Sequence, residues 1–178
     1  MKVFAPAAER STGANLARTL GQTVLFWVVF IGVTPWLIVR IERELGVPGF
    51  TFTGQHLVAL AIGLVGATFN LWSGVALAVV GRGTPFPTQT ARELVVIGPY
   101  QYLRNPMAFG GLGVGFAVGV YIGSWGTLAY AVAGGAIWHA IARPMEERDL
   151  AERFGASYDH YRANVRCWSP RLSAYRRP

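Results

Sequence analysis

Apolar residues along this chain fall in long blocks separated by short polar stretches. Residues 20–39 carry no charge over 20 positions, and a second block, 57–80, begins just after His56. Each exceeds the ~18 apolar residues that mark a candidate spanning helix. A third block, 107–142, is too long for one span and suits two, broken at Gly123-Ser124 into pieces of about 15 and 18 residues. The pattern predicts an all-α, polytopic membrane helix bundle of about four transmembrane helices, the third and fourth forming a tight hairpin. Residues 1–19 read as a polar lead-in, either disordered or a short interfacial helix. Residues 40–55, with Gly46, Pro48, Gly49 and Gly54, read as turns. Thr34-Pro35 lies inside the first block, where proline removes a backbone donor and favours a kink.

Beyond the last block, Leu150, Phe154, Tyr158, Tyr161 and Val165 recur at helical spacing among charged residues. This predicts an amphipathic, cytoplasmic helical tail, for the membrane surface or for capping the bundle. Gly155 weakens it and divides it in two, and Ser169-Pro170 ends the regular structure. The whole chain, 1–178, reads as a single domain. Gly111, Gly115, Gly119 and Gly123 recur every four residues and line one face of the third helix, where another helix can approach closely. That face suits packing within the chain or, in a homo-oligomer, against a second copy. Asn70, near mid-span in the second block, fits interhelical hydrogen bonding or a substrate contact. Gly113-Val114-Gly115 lies within an apolar span and follows no strand, so it is no dinucleotide loop.

Composition agrees with the pattern. The chain is 52% hydrophobic and 14% charged, against roughly 25% charged in an average soluble domain. The first block is too long for a signal-peptide core and no small-residue cleavage site follows it, so it reads as a retained span. Sixteen basic against nine acidic residues give a net charge of +7. Lys2, Arg10 and Arg18 precede the first span, Arg82, Arg92 and Arg104 lie in the loop before the third, and eight arginines follow the fourth. Only Arg40 and Arg43 fall on the other side. That asymmetry places both termini and the 81–106 loop in the cytoplasm and turns the basic tail toward anionic headgroups rather than nucleic acid. Fifteen arginines to one lysine fit a GC-rich bacterial genome, and so a bacterial inner membrane. The single Cys167 excludes an intramolecular disulfide, and no Cys/His spacing suits a structural zinc, so no metal is expected.

Two polar stretches carry the candidate chemistry. In Gly98-Pro99-Tyr100 and Arg104-Asn105-Pro106, two prolines hold a short segment whose exposed backbone groups could meet a ligand. Arg104 alternatively snorkels to headgroups. Glu146-Glu147, set off from the fourth span by Pro144, lies on the same face. The pair forms either surface ion pairs with Arg143 and Arg148 or one side of a pocket for an ammonium or sulfonium group. His139, His160 and the tyrosines are the available bases, and His139 suits a lining or a structural role equally.

The ordered set Gly-Thr-Pro (83–85), Leu-Val-Val-Ile-Gly-Pro-Tyr (94–100), Tyr-Leu-Arg-Asn-Pro-Met (102–107), Glu-Glu-Arg-Asp-Leu (146–150) and Phe-Gly-x-x-Tyr-x-x-Tyr (154–161) resembles the isoprenylcysteine carboxyl methyltransferase and phospholipid methyltransferase group. The resemblance covers roughly residues 81–172. It implies an integral membrane enzyme that uses S-adenosyl-L-methionine to methylate a lipid or lipophilic acceptor, a carboxylate or a phospholipid amine. By position it implies cofactor contacts from Arg92, Glu93, Leu94 and Val95, from Tyr100, and from Asn105, Pro106, Met107 and Ala108. It also implies that Glu146 binds the cofactor, at its amino group, with Glu147 in support. Arg143 is the candidate for holding the acceptor, and Arg104 joins it as a candidate catalytic residue. The prenylcysteine enzymes carry Arg-His-Pro-x-Tyr where this chain has Asn105 and Ala108, and asparagine cannot act as an acid or base near neutral pH. The departure bears on the acceptor more than on the cofactor. Two other readings remain: an NADPH-dependent membrane reductase of the sterol-reductase type, and a catalytically silent relative.

Overall fold

The computed structural model describes residues 7–85 and 89–177, and the described residues form helices without a strand. The first helix, α1 (Thr12–Glu44), is 33 residues long. It starts eight positions before the apolar block because Ser11 caps it, its hydroxyl accepting from the Ala14 N–H. The described part of the polar lead-in is therefore largely helical. The α1 helix also runs on to Glu44, through part of the stretch read as turns. At Thr34-Pro35 the chain does not break. A π-helical segment, Trp27–Val33, shifts the hydrogen bonding by one residue, and the Val29 carbonyl accepts from both the N–H and the hydroxyl of Thr34. The register shift absorbs the donor that proline lacks.

Helix α2 (Gln55–Val79) returns antiparallel to α1, and α3 (Pro106–Ile122) and α4 (Trp125–Ile137) make the expected hairpin. Gly123 ends α3 at φ +75°, and the Ser124 side chain accepts from Thr127 N–H to start α4. Glu42 completes that start: its carboxylate accepts from Ser124 Oγ and from Gly126 N–H, each at 2.6 Å. A carboxylate suits the positive end of a helix, so the C-terminal end of α1 is tied to α4.

The closest helix crossing joins α2 and α3 at Gly66 and Gly110. A Cβ on Gly110 would lie 2.5 Å from the Gly66 carbonyl oxygen and the Asn70 nitrogen. This contact sits one position off the glycine row read from the sequence. In that row, Gly119 packs on Leu128 of α4 and Gly123 on the Phe50 carbonyl, so the small-residue face packs within the chain. Only 6% of the most apolar stretch of α1 is buried, and Val24, Leu25, Val28 and Phe30 stand exposed. An exposed apolar belt of that extent suits lipid, not water. Two helices, α1 and α2, are long and apolar enough to cross a membrane, and α3 is a shorter apolar helix.

Helix α4 continues through a second π-helical turn, Trp138–Ala142, into α5 (Arg143–Phe154). Pro144 does not separate the glutamates from the helix, contrary to the sequence reading. Arg143 N–H bonds back to the Trp138 carbonyl, and the His139 carbonyl takes the Arg143 Nε–H. Glu146 and Glu147 are therefore held on a helix. Gly155, at φ +50°, divides α5 from α6 (Ala156–Asn164) as expected. The amphipathic tail caps the bundle: Tyr158, Tyr161, Val165 and Tyr175 are buried together.

Candidate functional site

A cavity of about 590 Å³ opens between α1 to α4, residues 84–85 and 90–95, and α5. Its size is ordinary for a site that takes a small molecule or cofactor. Phe26, Trp27 and Phe30 of α1, Leu112 of α3 and Trp138 give it one apolar wall. Tyr100, Arg104, Asn105, Glu146, Glu147 and Asp149 give it a polar one.

The polar wall is built on the Gly98–Gln101 turn, a 3-10 helix with Gly98 at φ +58°. The backbone of this turn is not open to a ligand, as the two prolines had led us to expect. The C-terminal segment takes it up: Arg171 N–H bonds the Tyr102 carbonyl, Tyr175 N–H bonds that of Gln101, and Arg104 N–H bonds that of Arg166. Tyr161 donates its hydroxyl to the Tyr100 carbonyl at 2.6 Å. What remains toward the cavity is side chains. The Tyr100 phenol is pushed well above its ordinary value by burial, then by Glu146 and Tyr161. Tyr158, beneath the pair of glutamates, is raised to about 12 by burial and then by Glu147. Both are hydrogen-bonding phenols at physiological pH.

The two glutamates differ sharply. Glu147 takes both arginines: Arg104 Nη1 lies at 2.7 Å and Arg143 Nη1 at 3.4 Å. These side chains are mostly buried, so the pair is more than a surface contact. Glu146 has no hydrogen-bond or ion-pair partner among the described residues. It lines the cavity with solvent access only in part, and its carboxyl is raised from 4.5 to about 7 by burial, then by Glu147 and Asp149. Arg104 is likewise incomplete: its Nε–H is buried without a partner. The lining thus combines a carboxyl without a partner among the described residues and a guanidinium with one buried N–H unsatisfied, a fit for a zwitterion.

Most residues singled out in the sequence line this cavity: Glu93, Leu94, Val95, Tyr100, Arg104, Asn105, Met107, Ala108, Glu146 and Glu147. Arg92 instead pairs with Glu9 at 3.0 Å, Pro106 is buried at the start of α3, and Arg143 reaches the site only through Glu147. Asn105 donates to the Cys167 thiol at 3.1 Å. Of the candidate bases, the two histidines fall away from the cavity, His139 accepting from Trp168 Nε1 and His160 bonding the Tyr175 hydroxyl, while Tyr100, Tyr130, Tyr158 and Tyr161 line it. Sequence reasoning missed the contribution of α1 and of Asp149, whereas Asn70 both bonds across helices, to the Met107 carbonyl, and lines the cavity. The α1 residues look like any lipid-facing run. Asp149 was overshadowed by Glu146-Glu147, though one helical turn separates it from Glu146.

Arg153 closes the roof. Its guanidinium bonds Thr90 Oγ1, the Ala91 carbonyl and Asp149, tying residues 90–91 to α5.

Residues 54–157 match the phospholipid methyltransferase family, a stretch that contains α2 to α5 and the polar wall. The chain is also similar to methanethiol S-methyltransferase 2 of Bradyrhizobium diazoefficiens, 31% identical over 175 residues. That alignment covers 96% of this chain and 63% of the relative, so the chain spans less than two thirds of that protein's length. No solved structure matches. The family match reaches further toward the N-terminus than the motifs do, taking in α2 and its crossing with α3. With the apolar belt, the polar wall and more than half of the sequence in agreement, the chain belongs to the phospholipid methyltransferase family.

Proposed function

We propose that the protein is an S-adenosyl-L-methionine-dependent methyltransferase of the membrane, acting on a lipophilic or membrane-located acceptor. The observation that carries this reading is the unpaired Glu146 carboxylate beside the unsatisfied Arg104 Nε in one buried cavity. An amino-acid moiety supplies the complement, its ammonium for Glu146 and its carboxylate for Arg104. Leu94, Val95 and Leu150 offer apolar contact for the rest of such a ligand. The bound group supplies an electrophilic methyl on a sulfonium. The chain's part is to align the acceptor and exclude water. Glu147, held by Arg104 and Arg143, fixes the Arg104 guanidinium and keeps α5 against the turn.

In this reading α1 to α4 are four spans of a bacterial inner membrane, with both termini and the cavity's polar wall on the cytoplasmic side. The donor enters from the cytoplasm. The acceptor enters sideways from the bilayer between α1 and α4, beneath the end pinned by Glu42. The acceptors to consider are a carboxylate, a phospholipid amine and, from the relative's name, a small thiol.

The test is calorimetric titration of the purified protein in nanodiscs. Binding of adenosylmethionine at roughly micromolar Kd, lost in Glu146→Ala, supports the proposal. Binding of NADPH in its place would assign the reductase reading, and binding of neither would mark a silent relative; both overturn it.

A further inference from the structure

A second unpaired group lies deeper in the same cavity. Asn70 is 6% exposed and stands on α2, one turn inward of the Gly66 crossing. Nine residues separate it from Val79, which sets it about 14 Å along the helix from the inner end. Its Nδ2 donates to the Met107 carbonyl at 2.9 Å. A carbonyl can only accept, so this bond fixes which way round the amide sits. Its Oδ1 is then left over, buried and without a partner among the described residues, on a residue that lines the cavity. An unpaired amide oxygen in so dry a place is costly. Across from α2, Thr23 of α1 is also buried and lines the cavity. Asn15 Oδ1 and Thr19 Oγ1, on the same side of α1, are buried and unpaired as well. Apolar Phe26, Trp27 and Leu112 surround this end.

We propose that Asn70 Oδ1, with Thr23, forms the acceptor subsite and selects a nucleophile that carries its own hydrogen-bond donor, the S–H of a thiol or the N–H of an amine, over a carboxylate. This rests on the methyltransferase reading and narrows it. An amide oxygen facing a carboxylate sets two acceptors together with no proton between them, and the surrounding apolar wall offers nothing to offset the repulsion. Arg104, the arginine among the lining residues, pairs with Glu147 and in the methyltransferase reading takes the donor's carboxylate, so it is not left for an acceptor carboxylate. An S–H or N–H gives Asn70 its missing bond and points the nucleophile's lone pair back toward the polar wall. Methylation forms the bond from sulfur or nitrogen to the methyl carbon as the carbon–sulfonium bond breaks, and the acceptor's proton leaves to water. Asn70 orients the acceptor and takes no proton, since an amide oxygen is not a base near neutral pH.

The test uses the full chain in nanodiscs with three probes of equal length, butanethiol, butylamine and butyrate, and a fourth, vesicles of phosphatidylethanolamine. Methyl transfer gives kcat and KM, and calorimetry without methyl donor gives acceptor binding. We expect the thiol or the amine to exceed butyrate by about tenfold or more in kcat/KM, one hydrogen bond's worth of discrimination. Asn70→Leu raises KM for the protic acceptor by about tenfold while the Kd for adenosylmethionine stays within about twofold. Thr23→Val, which leaves the Met107 bond untouched, raises the same KM and carries the test should Asn70→Leu not fold. Turnover of butanethiol without the vesicles identifies a small thiol, and turnover of phosphatidylethanolamine identifies a headgroup amine; both satisfy the proposal. A preference for butyrate, or wild-type KM in both variants, overturns it. If adenosylmethionine does not bind wild type, the methyltransferase reading fails separately. Donor-free butanethiol binding then decides the subsite: loss in Thr23→Val and Asn70→Leu sustains it, and retention overturns it.

Discussion

Replacing Glu146 by glutamine separates binding from stability. In the empty protein the Glu146 carboxyl is raised from 4.5 to about 7, chiefly by burial and then by Glu147 and Asp149. Between those values the folded protein holds a proton that the unfolded chain has lost, so stability falls as pH rises through the window and the loss is complete above pH 7. At ~1.4 kcal/mol per pH unit the ceiling is ~3 kcal/mol, and partial solvent access lowers it to about 1–2 kcal/mol. Glutamine removes this loss. The thermal midpoint of Glu146→Gln should exceed that of wild type at pH 8 and match it near pH 4.5. Ligand binding should move the other way. A charge-assisted hydrogen bond to the donor's ammonium is worth ~1.5–3 kcal/mol, so the variant should bind adenosylmethionine about 10- to 150-fold more weakly. Wild-type affinity should itself rise about tenfold from pH 6 to pH 8, following ionisation of Glu146, and should be flat in the variant. Calorimetric titration across that range, with thermal unfolding of the empty protein at each pH, gives both readouts. Wild-type affinity in the variant, or no gain in its midpoint at pH 8, would refute the assignment.

Other consequences are equally open to measurement. Gly110→Ala drives a Cβ into the backbone of α2, so it should cost about 3 kcal/mol or more and remove the monodisperse peak in gel filtration. Arg104→Ala leaves Glu147 with only the longer Arg143 contact and should lower stability by about 3 kcal/mol as well as weakening donor binding. Arg104→Ala combined with Glu147→Gln should recover most of the stability and none of the binding. Tyr161→Phe removes the buried hydroxyl that holds the Tyr100 carbonyl; hydrogen exchange in residues 98–105 should quicken, at a cost of about 1–2 kcal/mol. Gly134 lines the cavity, and a Cβ there meets nothing within 4 Å. Gly134→Phe should therefore fold, bind adenosylmethionine and fail to methylate a lipid acceptor. Loss of binding as well would refute sideways entry.

The tail gives the site its rigidity. The motif turn has only one short 3-10 helix of its own, and four of its backbone groups are held by residues 60 to 75 positions downstream. Truncation after Val165 would thus act on the cavity without removing a lining residue.

Local chemistry was readable directly from the chain. Block length and the absence of charge marked the helices, because a bilayer or a core demands such runs wherever the chain goes next. The hairpin at Gly123-Ser124 and the division at Gly155 were equally plain, since a left-handed φ needs glycine and a helix start needs a capping hydroxyl. The ordered motifs brought Tyr100, Asn105 and Glu146 together before any coordinates did. Continuity at Pro35 and Pro144 was not readable, because a π turn depends on which carbonyl finds another donor. Nor was the fate of the turn's backbone, which depends on a tail far away in sequence. The difference between Glu146 and Glu147 was decided by tertiary structure alone. Two neighbouring glutamates look alike in the chain; packing gave one of them two arginines and left the other lining the cavity with no partner among the described residues.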